Sequence, residues 1–151
     1  MKKLLTALLI TSILLSLGAG AVMAKGPGNR IHSPEELVND YPVYELSEKQ
    51  IADLEFMYEE EKMAGDLYAR LGEEWGLPAF ENIARSEAQH MSALEALFVK
   101  YGLEKPDTAP GEYNNSELAE AYNVLLSRGL ESESAALELG KELEIKDIAD
   151  L

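Results

Sequence analysis

The chain has 151 residues, contains no cysteine and carries a formal net charge of −15 at pH 7. The length suits one domain, and the absence of cysteine excludes disulfide bonds, thiolate metal ligands and a lipid-modified cysteine. So acidic a surface repels nucleic acid and anionic membranes and attracts cations, although an excess of Asp and Glu also simply promotes solubility.

The first 24 residues have the three parts of a secretory signal peptide: two lysines, an apolar stretch from Leu4 and small residues up to Ala24. We expect cleavage after Ala24 and therefore a secreted protein, extracellular or periplasmic, without stable membrane insertion. An uncleaved anchor is the alternative, because the apolar stretch is close to the minimum length that spans a bilayer. Residues 25–45 contain several prolines and no sustained period, which predicts an irregular lead-in.

Residues 46–151 are predicted to form one helical domain. Ser47 and Gln50 make a capping box before an apolar pattern of helical period, so the first helix starts at Ser47. We expect it to run to about Leu71 and to stop around Gly72. No alternating strand pattern persists anywhere in this region, and the predicted fold class is therefore all-α.

The second helix is expected to begin after a turn at residues 75–78 and to end at Tyr101. Pro78 suits the first turn of a helix, and Gly102 suits the left-handed position that follows a helix. Two prolines and a glycine predict a connecting loop over residues 103–115.

The third and fourth helices are predicted from shorter patterns. A short helix is predicted from Ser116 to Arg128, closed by Gly129, and the last helix is predicted to begin near Ser132.

Ionisable residues interrupt the apolar stripes of the long helices. Steps of three and four residues place Glu61 between Met57 and Tyr68 in the first helix, and Glu87 with His90 in the second. In the last helix the same stepping gives Leu137, Lys141, Glu144, Ile148 and Leu151, with Asp147 beside that line. Burying several carboxylates without a cation is costly, so either these groups are less buried than the pattern suggests or a metal ion neutralises them.

The Glu-x-x-His spacing of Glu87 and His90 puts a carboxylate and an imidazole on adjacent turns of one helix face. With single glutamates from neighbouring helices, this is how four-helix bundles hold two metal ions. Oxygen and nitrogen donors without thiolate suit iron, manganese or zinc. The motif alone is weak, because it also occurs on solvated helix faces.

Other polar residues are given ordinary structural roles. Most runs of glutamate are solvated, so only Glu61 is expected inside and Glu59 and Glu60 are expected in water. Tyr68 and Tyr101 are predicted to be core aromatics. Asp147 fits a functional role, as a metal ligand or as an acceptor that orients an imidazole, and fits a solvated aspartate about equally. The sequence contains neither a nucleophile elbow nor a phosphate-binding glycine loop.

Two segments, residues 59–68 and 82–90, resemble an uncharacterised family of the ferritin-like superfamily, often grouped near rubrerythrins and labelled only as a domain of unknown function. The similarity extends from residue 46 to the end. It implies a four-helix bundle with a di-iron or similar centre that oxidises ferrous iron or reduces peroxide. By position, the resemblance implies Glu61, Glu87, His90 and Glu144 as the ligands, with Glu87 as the bridging carboxylate.

The sequence departs from that pattern in one respect. Ferritin-like bundles have four long helices, and the fourth usually carries a second Glu-x-x-His. The short helix from Ser116 does not count as one of them, so a fourth long helix is missing. We consider three explanations, in this order: a truncated fragment, a homodimer in which each chain contributes Glu61, Glu87 and His90, or a degenerate site. A different function class also stays open. The chain could be a non-catalytic acidic module that binds cations or a protein partner.

Overall fold

The structure, a computed structural model, describes residue 38 and residues 42–149, with side chains up to Glu144. The predicted signal peptide (1–24) and most of the lead-in (25–45) lie outside the described residues. In the described part the chain forms four helices and no strand, which confirms the all-α class; they are α1 (Glu48–Trp75), α2 (Pro78–Tyr101), α3 (Ser116–Gly129) and α4 (Glu133–Ala149). Among the described helices, none has the length and apolar character needed to cross a membrane.

Local sequence signals explain most helix ends. The predicted capping box is present at Ser47 and Gln50. Pro78 stands in the first turn of α2, and Gly102 follows α2 with a left-handed φ of 63°. At α4, the Ser132 hydroxyl accepts a hydrogen bond from the Ala135 N–H at 3.1 Å, which places the start of this helix where the sequence predicted it.

One predicted helix end is wrong because Gly72 was taken as a helix terminator. α1 continues past Gly72 to Trp75, and Gly76 takes the left-handed position. α3 ends at Gly129, as predicted, but Gly129 is not in a left-handed conformation. Its missing side chain serves packing, since a Cβ there would lie 2.7 Å from Leu71 Cδ2.

The core consists of two clusters along the antiparallel pair α1 and α2. One cluster joins α1, α2 and α4, and its buried residues are Leu67, Tyr68, Leu71, Phe80, Ala136, Leu139 and Leu143. The other joins α1 and α2 alone, and its buried residues are Leu54, Tyr58, Leu94 and Phe98. The turns of α1 and α2 that separate these clusters carry Glu61, Glu87 and His90. A band of ionisable side chains therefore interrupts an otherwise apolar interface.

The buried face of α4 differs from the predicted one. Leu137 is 45% exposed and Lys141 is exposed. Among the side chains of this helix that the structure describes, the buried ones belong to Ala136, Leu139, Gly140 and Leu143. A Cβ on Gly140 would lie 3.2 Å from Phe80 Cε1, so the small residues are what lets α4 approach α1 and α2. The sequence pattern missed this face because Ala and Gly add little to an apolar stripe.

Candidate metal centre

Three of the four predicted site residues meet between the two core clusters. The Nδ1 atom of His90 lies 2.9 Å from Glu87 Oε2 and 3.2 Å from Glu61 Oε2. One potential ligand atom from each of these residues lies within 4.8 Å of the other two. Glu61 comes from α1, and Glu87 and His90 come from adjacent turns of α2. We call this set the three-residue cluster.

The geometry of α1 and α2 explains why these side chains converge. Gly65 follows Glu61 by one helical turn, and a Cβ at that position would lie 3.4 Å from the Cβ of Glu87. The absence of a side chain therefore permits a close approach of the two helices at the cluster. Aromatic contacts join the same two helices on either side of the cluster. Tyr58 contacts Phe98 edge to face, and Tyr68 stacks on Phe80.

Glu61 is the most constrained member of the cluster. Its side chain is 2% exposed, and its Oε1 atom has no hydrogen-bond partner among the residues that the structure describes. A buried carboxylate oxygen without a donor is unfavourable, because water solvated it in the unfolded chain. The other oxygen shares the imidazole of His90 with a second carboxylate. This environment favours a positive charge.

The pKa values of the cluster also reflect a need for positive charge. Burial raises the pKa of Glu61 to about 7, because desolvation disfavours the charged carboxylate; the hydrogen bond with His90 opposes this rise. Hydrogen bonds with Glu61 and Glu87 raise the pKa of His90 to about 10. In the metal-free protein the proton on His90 is thus the positive charge that the two carboxylates share.

Glu144, the fourth predicted ligand, lies beside the cluster but is not part of it. Its Oε1 accepts a hydrogen bond of 3.2 Å from the Tyr68 hydroxyl. Burial raises the pKa of Glu144, and the charges of Glu87 and His90 also act on it. Tyr68 is a buried core aromatic, as predicted. The side chain of Asp147 lies outside the described residues.

The prediction that Glu59 and Glu60 remain in water is wrong, since their side chains are only 3% and 2% exposed. The carboxylate of Glu59 accepts backbone N–H bonds from Asn114 at 2.6 Å and Asn115 at 2.8 Å. These donors precede α3, where unpaired amides and the helix dipole favour an anion. The connecting loop covers this side of α1, which a local pattern could not reveal.

Two further charged groups, the buried Lys62 and the half-buried Asp66, were not singled out from the sequence. They form an ion pair of 2.8 Å, and both also bond to the connecting loop. With Glu59 they stand at positions i, i+3 and i+7 of α1, a spacing that marks one helix face. That spacing was the available signal, although it does not distinguish a buried polar face from a solvated one.

A third ionic group joins α1, α2 and the loop near the other core cluster. Tyr58 donates to Glu95 Oε1 at 3.0 Å, and Lys105 donates to the same oxygen at 2.7 Å. Lys105 also donates to the Tyr58 hydroxyl at 3.0 Å. Each of these polar atoms has a partner, so this group stabilises the interface of the helices.

Carboxylate oxygens and a neutral imidazole nitrogen are donors that iron, manganese and zinc all accept. The three-residue cluster offers two carboxylates and one imidazole. Within it, Glu61 Oε1 is buried, accepts no hydrogen bond in the described structure and is available to bind a cation. These residues fit a divalent cation. A cation there would take the place of the proton on His90, because the imidazole must be neutral to bind a metal.

Comparison with known proteins places this chain in a family. A family model described as "Uncharacterized protein domain (DUF2202)" matches residues 50–151. The chain belongs to the DUF2202 family. Among its relatives is the uncharacterized protein MJ0754 of Methanocaldococcus jannaschii, which is 39% identical over 118 residues, or 77% of this chain and 64% of the relative.

The fold of this DUF2202 chain is similar to the crystal structure of the hypothetical protein MJ0754. The TM-score is 0.67 at 39% sequence identity, and the match covers 73% of this chain and 64% of that one. The chain therefore spans just under two thirds of the length of the relative that it matches. This likeness shows that the two chains share a fold.

Proposed function

We propose that this DUF2202 chain is a ferritin-like metal protein that holds iron at Glu61, Glu87 and His90 and acts as a ferrous iron oxidase or a peroxide reductase. Manganese and zinc are the other metals that the donor types allow. By the pattern of the first 24 residues, we also propose that it is secreted and works outside the cytoplasm.

The observation that carries the proposal is the buried, convergent arrangement of two carboxylates around one imidazole nitrogen. Glu61 retains an oxygen without a donor in the described structure, although it is almost fully buried. Natural proteins rarely leave such an atom uncompensated, and a bound ion at the site would compensate it. The antiparallel pairing of a glutamate helix with a Glu-x-x-His helix supports the ferritin-like type.

The residues of the chain have separate roles in this proposal. Glu61 and Glu87 neutralise the cation, and His90 supplies a nitrogen donor. Glu144, held by the Tyr68 hydroxyl, adds negative charge next to the cluster. The apolar clusters on both sides exclude water, which strengthens every charge interaction within the band. A bound iron ion would supply the one-electron chemistry toward oxygen or peroxide.

A homodimer would extend the same proposal. Two chains would bring together two sets of Glu61, Glu87 and His90, which gives the two imidazoles that ferritin-like centres normally use. The expected stoichiometry is one iron per chain in a dimer.

The test is the metal content of the purified chain after expression with iron, manganese and zinc available. We expect stoichiometric iron in the wild type and its loss in His90→Ala. His32→Ala is the matched control, since His32 is the chain's other histidine. Molar mass, measured on the same samples, tests the dimer. Iron-free wild type, or equal iron in His90→Ala, would contradict the proposal.

The position and hydrogen bond of Glu144 favour a second class of function. Because its carboxylate is bonded to Tyr68 and stands outside the three-residue cluster, the described residues provide one compact cation position rather than two. This arrangement suits a non-catalytic acidic module that binds a cation or a protein partner. Ferrous oxidation or peroxide consumption over many turnovers by the wild type, but not by His90→Ala, would rule out this alternative.

A further inference from the structure

The turn of α1 that carries Glu61 is held on the side away from the cluster as well. Glu59, Lys62 and Asp66 form one stripe along α1, which we call the loop-facing stripe. Because successive helix residues are rotated by about 100°, this stripe points roughly 130° away from Glu61. The connecting loop, residues 103–115, lies against it. The same short stretch of helix is therefore fixed on two nearly opposite faces.

Asp66 connects the loop-facing stripe to the loop through a single oxygen atom. Its Oδ2 atom accepts bonds from Lys62 Nζ at 2.8 Å, from the Gly111 N–H at 2.9 Å and from the Tyr113 hydroxyl at 2.9 Å. Two of these donors belong to the connecting loop. One carboxylate oxygen thus joins α1 to the loop, and hydrogen bonds to a charged acceptor are among the stronger ones in proteins.

Lys62 complements Asp66 from the preceding turn. Its ammonium group donates to the carbonyl oxygens of Ala109 at 2.8 Å and Glu112 at 3.3 Å, and lies 4.6 Å from the centre of the Tyr113 ring. The flexible lysine side chain is almost completely enclosed, with a side-chain exposure of 10%. All of these contacts are specific to one rotation of α1 about its axis.

That rotation matters because the position of Glu61 is unfavourable in the metal-free protein. Glu61 is desolvated, has an oxygen without a donor in the described structure, and faces a second carboxylate, Glu87. A helix free to rotate would move Glu61 away from Glu87 and into water. The core contacts of Tyr58 and Tyr68 with α2 oppose this movement on one side of α1. The contacts of the loop-facing stripe oppose it on the other side, as in metal sites whose ligands are held in place before the ion binds.

We infer that Asp66 is a positioning residue: through Lys62 and the connecting loop it fixes the rotation of α1 that holds Glu61 against His90. Asp66 itself does not touch the three-residue cluster. For metal affinity, the inference rests on the proposed function, because the metal is what makes this placement useful. For the contact between Glu61 and His90, it stands on the metal-free structure alone.

The chain offers a matched control on the same helix. Arg70 and Glu74 form an ion pair of 2.9 Å with the same i, i+4 spacing as Lys62 and Asp66, but both are partly exposed and bond within α1. Asp66→Asn and Glu74→Gln therefore remove one carboxylate charge each from equivalent pairs. Only the first variant loosens the attachment to the loop.

The test uses Co²⁺ as the probe, since its visible spectrum reports the geometry of its ligands. In the full chain we expect Asp66→Asn to raise the Kd for Co²⁺ about tenfold and to change the spectrum. Glu74→Gln should match the wild type in both. The metal-free proteins are measured as well: the ¹⁵N chemical shift of His90 Nδ1 should move in Asp66→Asn and stay unchanged in Glu74→Gln.

The outcomes separate this inference from the proposed function. Unchanged affinity, spectrum and His90 shift in a folded Asp66→Asn protein would overturn the inference. If the wild type binds no Co²⁺, the proposed function fails, and the His90 shift alone then decides whether Asp66 positions Glu61.

If Asp66→Asn does not fold, Tyr113→Phe decides in its place. This variant removes one hydrogen bond and keeps the ring over Lys62. We therefore expect a smaller rise in the Kd for Co²⁺, about threefold, and a smaller change in the ¹⁵N chemical shift of His90 Nδ1. No change in either quantity would overturn the inference.

Discussion

Glu59 and Glu61 stand two residues apart in α1 and are equally buried, yet their surroundings are opposite. Glu59 accepts two backbone N–H bonds at the start of α3. Glu61 shares one imidazole with Glu87 and leaves an oxygen without a donor in the described structure. Burial alone therefore does not distinguish the carboxylate of the three-residue cluster from the carboxylate at the start of α3. The distinguishing property is whether the fold supplies the donors that a buried carboxylate needs.

The largest expected change in stability is at Glu59, the buried carboxylate whose hydrogen-bond donors the fold supplies. Glu59→Gln replaces a charged acceptor by an amide whose NH₂ group meets one of the two backbone N–H groups. We expect the free energy of unfolding to fall by about 2 kcal/mol, because hydrogen bonds to charged groups are worth about 1.5–3 kcal/mol. Urea unfolding of the metal-free protein measures the change.

The same substitution at Glu61 should have a smaller effect of opposite sign. Glu61→Gln removes a desolvated charge that faces Glu87, so we expect the metal-free protein to gain up to about 1 kcal/mol of stability. The gain should come with loss of metal binding, measured by the same metal analysis as for the wild type. A destabilisation equal to that of Glu59→Gln would show that the two environments are not different in kind.

The smallest effect is expected at a third carboxylate, Glu95, which is partly exposed. The hydrogen bond from Lys105 lowers the pKa of Glu95, so its contribution to stability is present above its usual pKa and is lost as pH falls through the lowered value. Solvent screening reduces this contribution to less than about 0.5 kcal/mol. Comparing wild type with Glu95→Gln by urea unfolding from pH 6 to pH 3 should show the difference shrinking toward low pH. A difference that is constant over this range would contradict the assignment.

Helical periodicity predicted the elements and the convergence of Glu61, Glu87 and His90 well. Glu61 interrupts an apolar stripe, and Glu87 and His90 share a helix face, so their positions follow once α1 and α2 pack in antiparallel fashion. The family resemblance to an uncharacterised domain of unknown function was likewise confirmed, whereas its ferritin-like type stays a prediction.

The errors arose where long-range packing decides burial. Glu59 was placed in water because nothing near it in the sequence indicates that Asn114 and Asn115 fold back over α1. The face of α4 was misplaced because Ala136 and Gly140 are small, and a pattern of large apolar residues cannot detect a close approach of backbones. Both errors concern contacts between residues far apart in the chain.

Gly140 illustrates how a residue without functional groups can govern one that has them. It lies against Phe80 and Tyr68, and Glu144 follows one turn later on the same line of α4. A Cβ at position 140 would lie 3.2 Å from Phe80 Cε1, so a side chain there requires Phe80 or α4 to shift, and a shift of α4 would move the carboxylate of Glu144. The electrostatic potential at His90 therefore depends on an uncharged packing contact as well as on the charged residues around it.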